Sequence, residues 1–278
     1  MECSSTGVLA KDGIAPEFRN TPASRLRSSY TVKNLTNRSQ TDIKVSFRVP
    51  STSHLENPRE GMRGSHPFEV FSDSKGNQWV EVRVDRLAPY GKASLWLDFD
   101  VQENEGWARD GKVGQAGRGV SDASVEWVRE HHPIERQAGE TDRDISRRIF
   151  DYVRTHIRPT GKSRKFLGTR HAFIAKAGDC TEMATAVKDL AIVAGVPAVI
   201  VSGYQIKGSQ KLDPTGYHNW VELMWQGQRV VVDPFDGIFE GTQGRYIPFY
   251  RGTPSLAKAG FLQFRTDRAE VEVSQDGL

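Results

Sequence analysis

The sequence predicts an α+β protein in which an N-terminal β-sandwich precedes a unit of mixed helices and strands. Short segments of alternating apolar and polar residues recur through the first hundred residues. A stretch at 103–119, rich in glycine and charged residues, interrupts that pattern. Beyond it, apolar residues recur at helical spacing before further strand-like segments appear.

The first hundred residues contain several predicted strands separated by turns. Within one of them, Ile43, Val45, Phe47 and Val49 alternate with polar residues and therefore share one side. Short strands at this spacing are typical of a small sandwich. The predicted strands span 26–34, 41–49, 66–73, 78–84 and 93–101.

The same pattern divides the chain into regions. We expect a single large domain or two modest ones at this length, and the interruption favours two. The predicted regions are a flexible N-terminus (1–14), a β-sandwich-like domain (15–104), a linker (105–120), a second domain (121–250) and a C-terminal extension (251–278).

The second domain begins with helical signals. A short helix is predicted at 121–130, and a longer one follows Thr141, which can cap it together with Asp144 three residues on. Residues 161–176 show no clear apolar period, so they are predicted to form a long loop.

The next helix carries the more informative residues. Asp179 and Glu182 match a variant of the capping box, which places Cys180 in the first helical turn. Gly195 and Pro197 end the helix. The predicted elements after it are a strand (198–204), a loop (208–216) and a hairpin (217–225 and 229–233) about a two-residue turn.

Three residues of this region could act together, namely Cys180, His218 and Asp233. Cysteine enzymes attack with the thiolate, which a helix N-terminus and a nearby imidazolium both favour. His218 begins the first hairpin strand and Asp233 ends the second. Pairing about the two-residue turn makes them diagonal neighbours on one face, within reach of each other. The pattern predicts a nucleophile, a base and an orienting carboxylate.

Each of these residues also has a purely structural interpretation. A buried cysteine at a helix start is often a small core residue, and a strand histidine is often only hydrogen-bonded. Asp233 before Pro234 is also a common turn residue. The adjacent His131 and His132 have no further cysteine or histidine at ligand spacing, so they predict no metal site.

Five short motifs, in this order, resemble the transglutaminase-like superfamily. The resemblance covers roughly 121–250, and the β-rich N-terminal region looks like the domain that often precedes this module in bacterial proteins. The motifs are Gly178-Asp179-Cys180-Thr181-Glu182, Gly195-Val196-Pro197-Ala198, Gly203-Tyr204, His218-Asn219-Trp220-Val221-Glu222 and Val231-Val232-Asp233-Pro234.

The resemblance implies a papain-like core, in which a helix carrying the cysteine packs on an antiparallel sheet. Cys180 would be the nucleophile, His218 the general base and acid, and Asp233 the orienting carboxylate, with Trp220 packed beneath them. Relatives often carry a small or aromatic residue where this chain has Asn219. The backbone N–H of Cys180 is a candidate oxyanion donor. No acidic cluster resembles the calcium sites of animal transglutaminases, so we expect no metal and no cofactor.

The implied activity is thiol-dependent acyl transfer at peptide or carboxamide bonds through a thioester. We expect a cysteine peptidase or amidase, because bacterial relatives of this architecture are more often hydrolase-like. One alternative is a protein-glutamine transglutaminase, which uses an amine acceptor. Another is a non-enzymatic binding module with the same fold, although the presence of all three residues argues against it.

Composition bears on partners and compartment. The 38 basic and 35 acidic side chains nearly balance, which gives no case for nucleic acid, and no apolar run is long enough to span a membrane. We expect a protein or peptide substrate, and the oligomeric state stays open. Residues 1–10 lack a signal-peptide pattern. The leading β-domain favours a periplasmic or cell-envelope location with any leader already removed, and the cytoplasm is the alternative.

Overall fold

The fold is seen in a computed structural model that describes residues 23–51, 61–74, 76–102, 123–163, 165–241, 245–252 and 264–276. The predicted flexible N-terminus and the predicted linker lie outside these residues. The helices are α1 (Ala123–His131), α2 (Asp142–His156), α3 (Gly168–Ala175) and α4 (Cys180–Val193). The strands are β1 (Ala23–Asn34), β2 (Gln40–Val49), β3 (Met62–Gly64), β4 (Phe68–Ser72), β5 (Gln78–Leu87), β6 (Lys92–Gln102), β7 (Arg158–Pro159), β8 (Ala177–Gly178), β9 (Ala198–Gln205), β10 (Gln210–Lys211), β11 (Tyr217–Trp225), β12 (Gln228–Asp233), β13 (Ile238–Gly241), β14 (Tyr246–Gly252), β15 (Phe264–Thr266) and β16 (Val271–Gln275).

Two sheets form the N-terminal sandwich, as the alternation predicted. One sheet has the order β10-β1-β6-β3, with β16 also paired to β1, and the other has the order β15-β2-β5-β4. Apolar side chains from both sheets pack in one core, because each strand directs alternate residues to the same face. That core includes Ile43, Val45, Phe47 and Val49 from β2, and Leu95, Leu97, Phe99 and Val101 from β6.

Strands from outside the first hundred residues complete these sheets. β16 pairs antiparallel with the second half of β1, and β15 pairs with β2. The short strand β10, inside the predicted loop at 208–216, pairs parallel with β1. Tyr204, Tyr217 and Phe249 belong to the same apolar cluster as the sandwich core. The sandwich is therefore built from several separate parts of the chain, and the proposed domain boundaries remain a prediction.

Both capping predictions in the helical part are confirmed. Thr141 and Asp144 form a capping box at the start of α2, and Asp179 and Glu182 form one at the start of α4. Each box satisfies backbone N–H groups that the first helical turn leaves without partners. The start of the helix that carries Cys180 is therefore fixed by local sequence.

The predicted loop at 161–176 is wrong over its second half, where the chain forms α3. This helix has eight residues and no side-chain cap at Leu167. Only Thr169, Ala172 and Phe173 are buried, and three residues are too few to give a recognisable helical repeat in the sequence. Tertiary packing of those residues against neighbouring helices supplies the stability that the local sequence lacks.

A five-stranded antiparallel sheet of order β13-β12-β11-β9-β14 supports the rest of the site. The predicted hairpin is confirmed, because Trp225 pairs with Gln228 across a two-residue turn. Both turn residues have positive φ, 49° at Gln226 and 80° at Gly227, as the favoured hairpin turn requires. α4 packs on this sheet through Met183, Val187 and Leu190, which share a core with Val221 and Leu223.

A buried ion pair lies within this sheet, and its arginine also contacts the sandwich. Arg251 of β14 makes two hydrogen bonds to the Glu222 carboxylate, at 2.8 and 2.9 Å. Its guanidinium also donates to Ser51, and its backbone exchanges two hydrogen bonds with the Asn77 side chain. Glu222, from the histidine motif, therefore holds the arginine that links this sheet to residues beside β2 and β5 of the sandwich.

Within the described residues, each helix is either too short or too polar to cross a membrane.

Candidate active site

Cys180 is the first residue of α4 and is 3 % exposed. The Asp179 carboxylate accepts a hydrogen bond from the Thr181 N–H at 2.9 Å, and the Glu182 carboxylate accepts one from the Asp179 N–H at 3.3 Å. These bonds fix the backbone on both sides of the cysteine. The first N–H groups of a helix carry a partial positive charge, which favours an anion at this position. The sequence thus places the sulfur where a thiolate is stabilised.

His218 and Asp233 meet through the register of the β11–β12 hairpin. Val221 pairs with Val232, so Asp233 falls opposite Trp220, two residues from His218. The histidine Nε2 lies 2.6 Å from Asp233 Oδ2. The diagonal contact expected from the two-residue turn is present. Trp220 is fully buried on the same side of the strand as His218 and packs against Tyr246.

The Asp233 carboxylate is fully buried and saturated with donors. Its Oδ2 accepts hydrogen bonds from Gln205 Nε2 and the Tyr246 hydroxyl, both at 3.0 Å, in addition to the histidine contact. Its Oδ1 accepts the backbone N–H of Asp236 at 3.1 Å. A buried carboxylate with this many partners is held in one orientation, and that orientation in turn fixes the imidazole ring.

The imidazole of His218 also has the Cys180 thiol as a hydrogen-bond partner. Burial of the ring disfavours the charged form and is the largest single effect. The hydrogen bonds and charges of Asp233 and Cys180 together outweigh it and raise the pKa of His218 to about 10. The ring therefore keeps its second proton at neutral pH and presents a positive charge beside the sulfur.

Asn219, the residue after the histidine, contacts the cysteine as well. Its Nδ2 lies 3.7 Å from Cys180 Sγ and 2.8 Å from Thr181 Oγ1. Its Oδ1 accepts a hydrogen bond from the Ser202 hydroxyl on the neighbouring strand. The side chain is 4 % exposed, so these partners define its position.

The segment before α3 is tied to the start of α4. The backbone N–H of Ser163 donates to Asp179 Oδ2 at 2.8 Å, and that of Leu167 donates to Glu182 Oε1 at 3.1 Å. Lys162 Nζ reaches the carbonyl of Tyr217, next to the histidine, at 2.6 Å. The capping carboxylates thus serve two purposes, because they also anchor a segment beside the cysteine.

One group of side chains in the described part of the chain could coordinate a metal ion. His218, Asp233 and Asp236 offer one ligand atom each, all within 4.8 Å of one another. Asp236 Oδ2 is 3.7 Å from the histidine Nε2 and accepts a hydrogen bond from Gln205. The Asp233 oxygen that faces the group already accepts two neutral donors besides the histidine. Those donors suit an orienting carboxylate better than a metal ligand.

Sequence reasoning named three residues that the structure brings together, but it did not find the groups that hold them. Gln205 and Tyr246 are cross-strand partners on β9 and β14 and belong to none of the five motifs. Asp236 follows the Asp-Pro motif by three residues and was the only one with a local signal. Asn219 was noted only as a departure from relatives.

Comparison with known proteins agrees with the motif reading. Residues 133–234, roughly a third of the chain, match the family model of the transglutaminase-like superfamily, and these residues form a transglutaminase-like core. The predicted resemblance is confirmed over this segment. No curated protein matches the chain in sequence.

Among solved structures, a candidate cysteine protease from Cytophaga hutchinsonii has 15 % identity and a TM-score of 0.50, covering 92 % of this chain and 91 % of that one. At this identity the likeness shows the fold alone. The periplasmic domain of TgpA from Pseudomonas aeruginosa has 14 % identity and a TM-score of 0.31, with 74 % of this chain and 87 % of that one covered. That TM-score is too low to support an argument.

Proposed function

We propose that Cys180, His218 and Asp233 form the catalytic triad of a thiol-dependent acyl-transfer enzyme, most simply a cysteine peptidase or amidase. The observation that carries the proposal is the position of His218, whose ring contacts the Cys180 thiol and lies 2.6 Å from Asp233. The transglutaminase-like core supports it, as does the similar fold of the candidate cysteine protease.

The first half-reaction follows from these contacts. Asp233 accepts the hydrogen bond of His218 Nε2, so Nδ1 of the same ring is free to face the thiol, and the protonated ring stabilises the thiolate. The sulfur attacks the carbonyl carbon of a peptide or carboxamide. His218 donates its proton to the leaving nitrogen as the C–N bond breaks, and a thioester remains on Cys180. The backbone N–H of Cys180 is the proposed donor to the oxygen of the tetrahedral intermediate.

The second half-reaction regenerates the enzyme. Neutral His218 accepts a proton from the incoming water or amine, which attacks the thioester carbon. The C–S bond breaks, the sulfur leaves as thiolate, and the imidazolium is restored. Water as acceptor gives hydrolysis or deamidation, and an amine gives transamidation. The triad serves both outcomes equally, so the acceptor is a separate question from the chemistry of the cysteine.

Thiol alkylation read by mass spectrometry tests the triad. We expect iodoacetamide to label Cys180 selectively near neutral pH, with the other cysteine, Cys3, as a reference thiol in the same chain. The selectivity should disappear in His218→Ala and weaken in Asp233→Asn. Labelling of Cys180 at an ordinary thiol rate in the wild type, unchanged by both substitutions, would argue for a non-enzymatic binding module.

The products of a glutamine-containing peptide library identify the acceptor. Wild type and Cys180→Ala are incubated with the library in the presence and absence of an added amine, and product masses are compared. Peptide cleavage or deamidation without amine supports a hydrolase. Products that form only when the amine is present, and whose mass shows the amine attached to the peptide, support a transglutaminase. Products that also form with Cys180→Ala would refute the role of the cysteine.

We also propose a protein or peptide substrate and a location in the periplasm or cell envelope. The substrate class follows from the acyl-transfer chemistry, and the compartment rests on the β-sandwich that precedes the core. Cell fractionation with an antibody against the chain tests the compartment, and recovery in the cytoplasmic fraction would contradict it.

A further inference from the structure

Cys180 has a second polar neighbour besides His218, and it comes from the next residue along the same strand. The Nδ2 of Asn219 lies 3.7 Å from the sulfur, within the reach of an N–H donor to sulfur. Asn219 and Cys180 are 4 % and 3 % exposed, so water does not compete strongly for either. A donor that is buried against a nucleophile acts on its charge more strongly than an exposed one does.

The orientation of the Asn219 carboxamide is set by a chain of buried hydroxyl groups. Ser202, its cross-strand partner on β9, is fully buried and donates to Asn219 Oδ1. The Tyr217 side chain is in turn a hydrogen-bond partner of Ser202. The serine hydroxyl has one hydrogen, and it is directed to Asn219 Oδ1.

Because Asn219 Oδ1 accepts this hydrogen bond, the two hydrogens of the Asn219 amide point to the opposite side, toward the start of α4. One of them reaches Thr181 Oγ1 at 2.8 Å, and the other is available to Cys180 Sγ. The flipped carboxamide would instead direct an acceptor oxygen at the sulfur and repel a thiolate. Beside a thiolate, the favoured orientation is therefore the one in which Asn219 is a donor to the nucleophile.

We infer that Asn219 is a catalytic residue that stabilises the Cys180 thiolate, with Ser202 and Tyr217 as the positioning residues that orient its carboxamide. This inference rests on the proposed function, because it assigns a role in the same thiol chemistry. His218 supplies the positive charge and the proton, and Asn219 supplies a neutral donor to the thiolate, both before it attacks and when it leaves the thioester.

The size of the effect follows from the contact. Hydrogen bonds to charged groups are worth more than neutral ones, and the distance here is long, so we expect about a tenfold effect on the thiolate population. In a titration this appears as an upward shift of about one pH unit in the midpoint of thiolate formation.

The experiment measures the iodoacetamide alkylation rate of Cys180 against pH, in the full chain with Cys3→Ser. Asn219→Leu keeps the approximate size of the side chain without a donor, and Asn219→Asp places a carboxylate beside the sulfur. We expect the midpoint to rise in both, and more in Asn219→Asp. Asn34→Leu is the matched control, because Asn34 is an equally buried asparagine in the sandwich. It should lower stability without moving the midpoint.

Ser202→Ala and Tyr217→Phe are smaller changes that leave Asn219 in place. They test its role if the Asn219 variants fail to fold. Both should raise the midpoint by less than Asn219→Leu does. An unchanged midpoint in the folded variants overturns the role of Asn219 while leaving the triad intact, provided His218→Ala still shifts it. A wild-type midpoint at the ordinary thiol value, insensitive to His218→Ala, overturns the proposed function itself.

Discussion

The buried pair between Glu222 and Arg251 gives a prediction whose magnitude can be worked from the structure. The two side chains are 1 % and 8 % exposed, and two hydrogen bonds join them. Arg251→Met removes the cation and leaves the glutamate charge in the protein interior. Breaking a buried pair in this way costs about 3–5 kcal/mol of unfolding free energy.

A second cation places the expected cost at the lower end of that range. Arg229 Nη1 lies 3.9 Å from Glu222 Oε2, and at an effective dielectric constant of about 20 such a pair interacts by about 4 kcal/mol before desolvation. Glu222 therefore keeps one cation beside it when Arg251 is removed. We expect Arg251→Met to destabilise the protein by about 3 kcal/mol.

The double variant Glu222→Leu/Arg251→Met separates the charge effect from general damage. Because it removes both charges, it should be less destabilised than the sum of the single variants by about 2 kcal/mol or more. Urea unfolding, followed by circular dichroism and tryptophan fluorescence, gives the free energies, and coincident transitions justify a two-state treatment.

An exposed pair supplies the control. Arg83 and Asp42 are 61 % and 64 % exposed at 3.3 Å, so Arg83→Met should change stability by less than about 1 kcal/mol. If Arg251→Met costs no more than this control, or if the single costs simply add in the double variant, the buried charge pair does not stabilise the protein.

Three further predictions concern the site and its sheet. Gly203→Ala should lower the free energy of unfolding by about 3 kcal/mol, because the new Cβ would lie 2.0 Å from the Ile247 carbonyl oxygen. Gly216→Ala is the control, since its Cβ would meet only Tyr204, at 3.7 Å. Equal melting temperatures of the two variants would contradict this prediction. The pKa of His218 is raised from 6.5 to about 10, so the stability it contributes is complete below pH 6.5 and lost as pH rises toward 10. The stability difference between wild type and His218→Gln should therefore shrink across that window, and a constant difference would refute the ion pair. EDTA should leave alkylation and turnover unchanged, because Gln205 and Tyr246 already donate hydrogen bonds to the Asp233 oxygen that a metal ion would need. Activity that is lost with EDTA and restored by a divalent ion would disprove this.

Local sequence was enough to predict the elements that carry the proposed triad. The capping residues Asp179 and Glu182 locate the start of α4, and the two-residue turn sets the register of the hairpin. Both are short-range features, in which residues a few positions apart satisfy each other's backbone groups. The helix α3 escaped prediction because its stability comes from packing and not from caps.

The sequence by itself determined the fold class, the β-sandwich, the order of the motifs and the candidate residues Cys180, His218 and Asp233. Alternation, capping and turn chemistry act over short distances, so they can be read along the chain. The tertiary structure alone decided what surrounds those residues. Gln205, Tyr246 and Ser202 reach the site through strand pairing, and β15 and β16 join the sandwich from the far end of the chain. Such contacts depend on which distant strands pair, and short-range sequence patterns do not indicate that pairing.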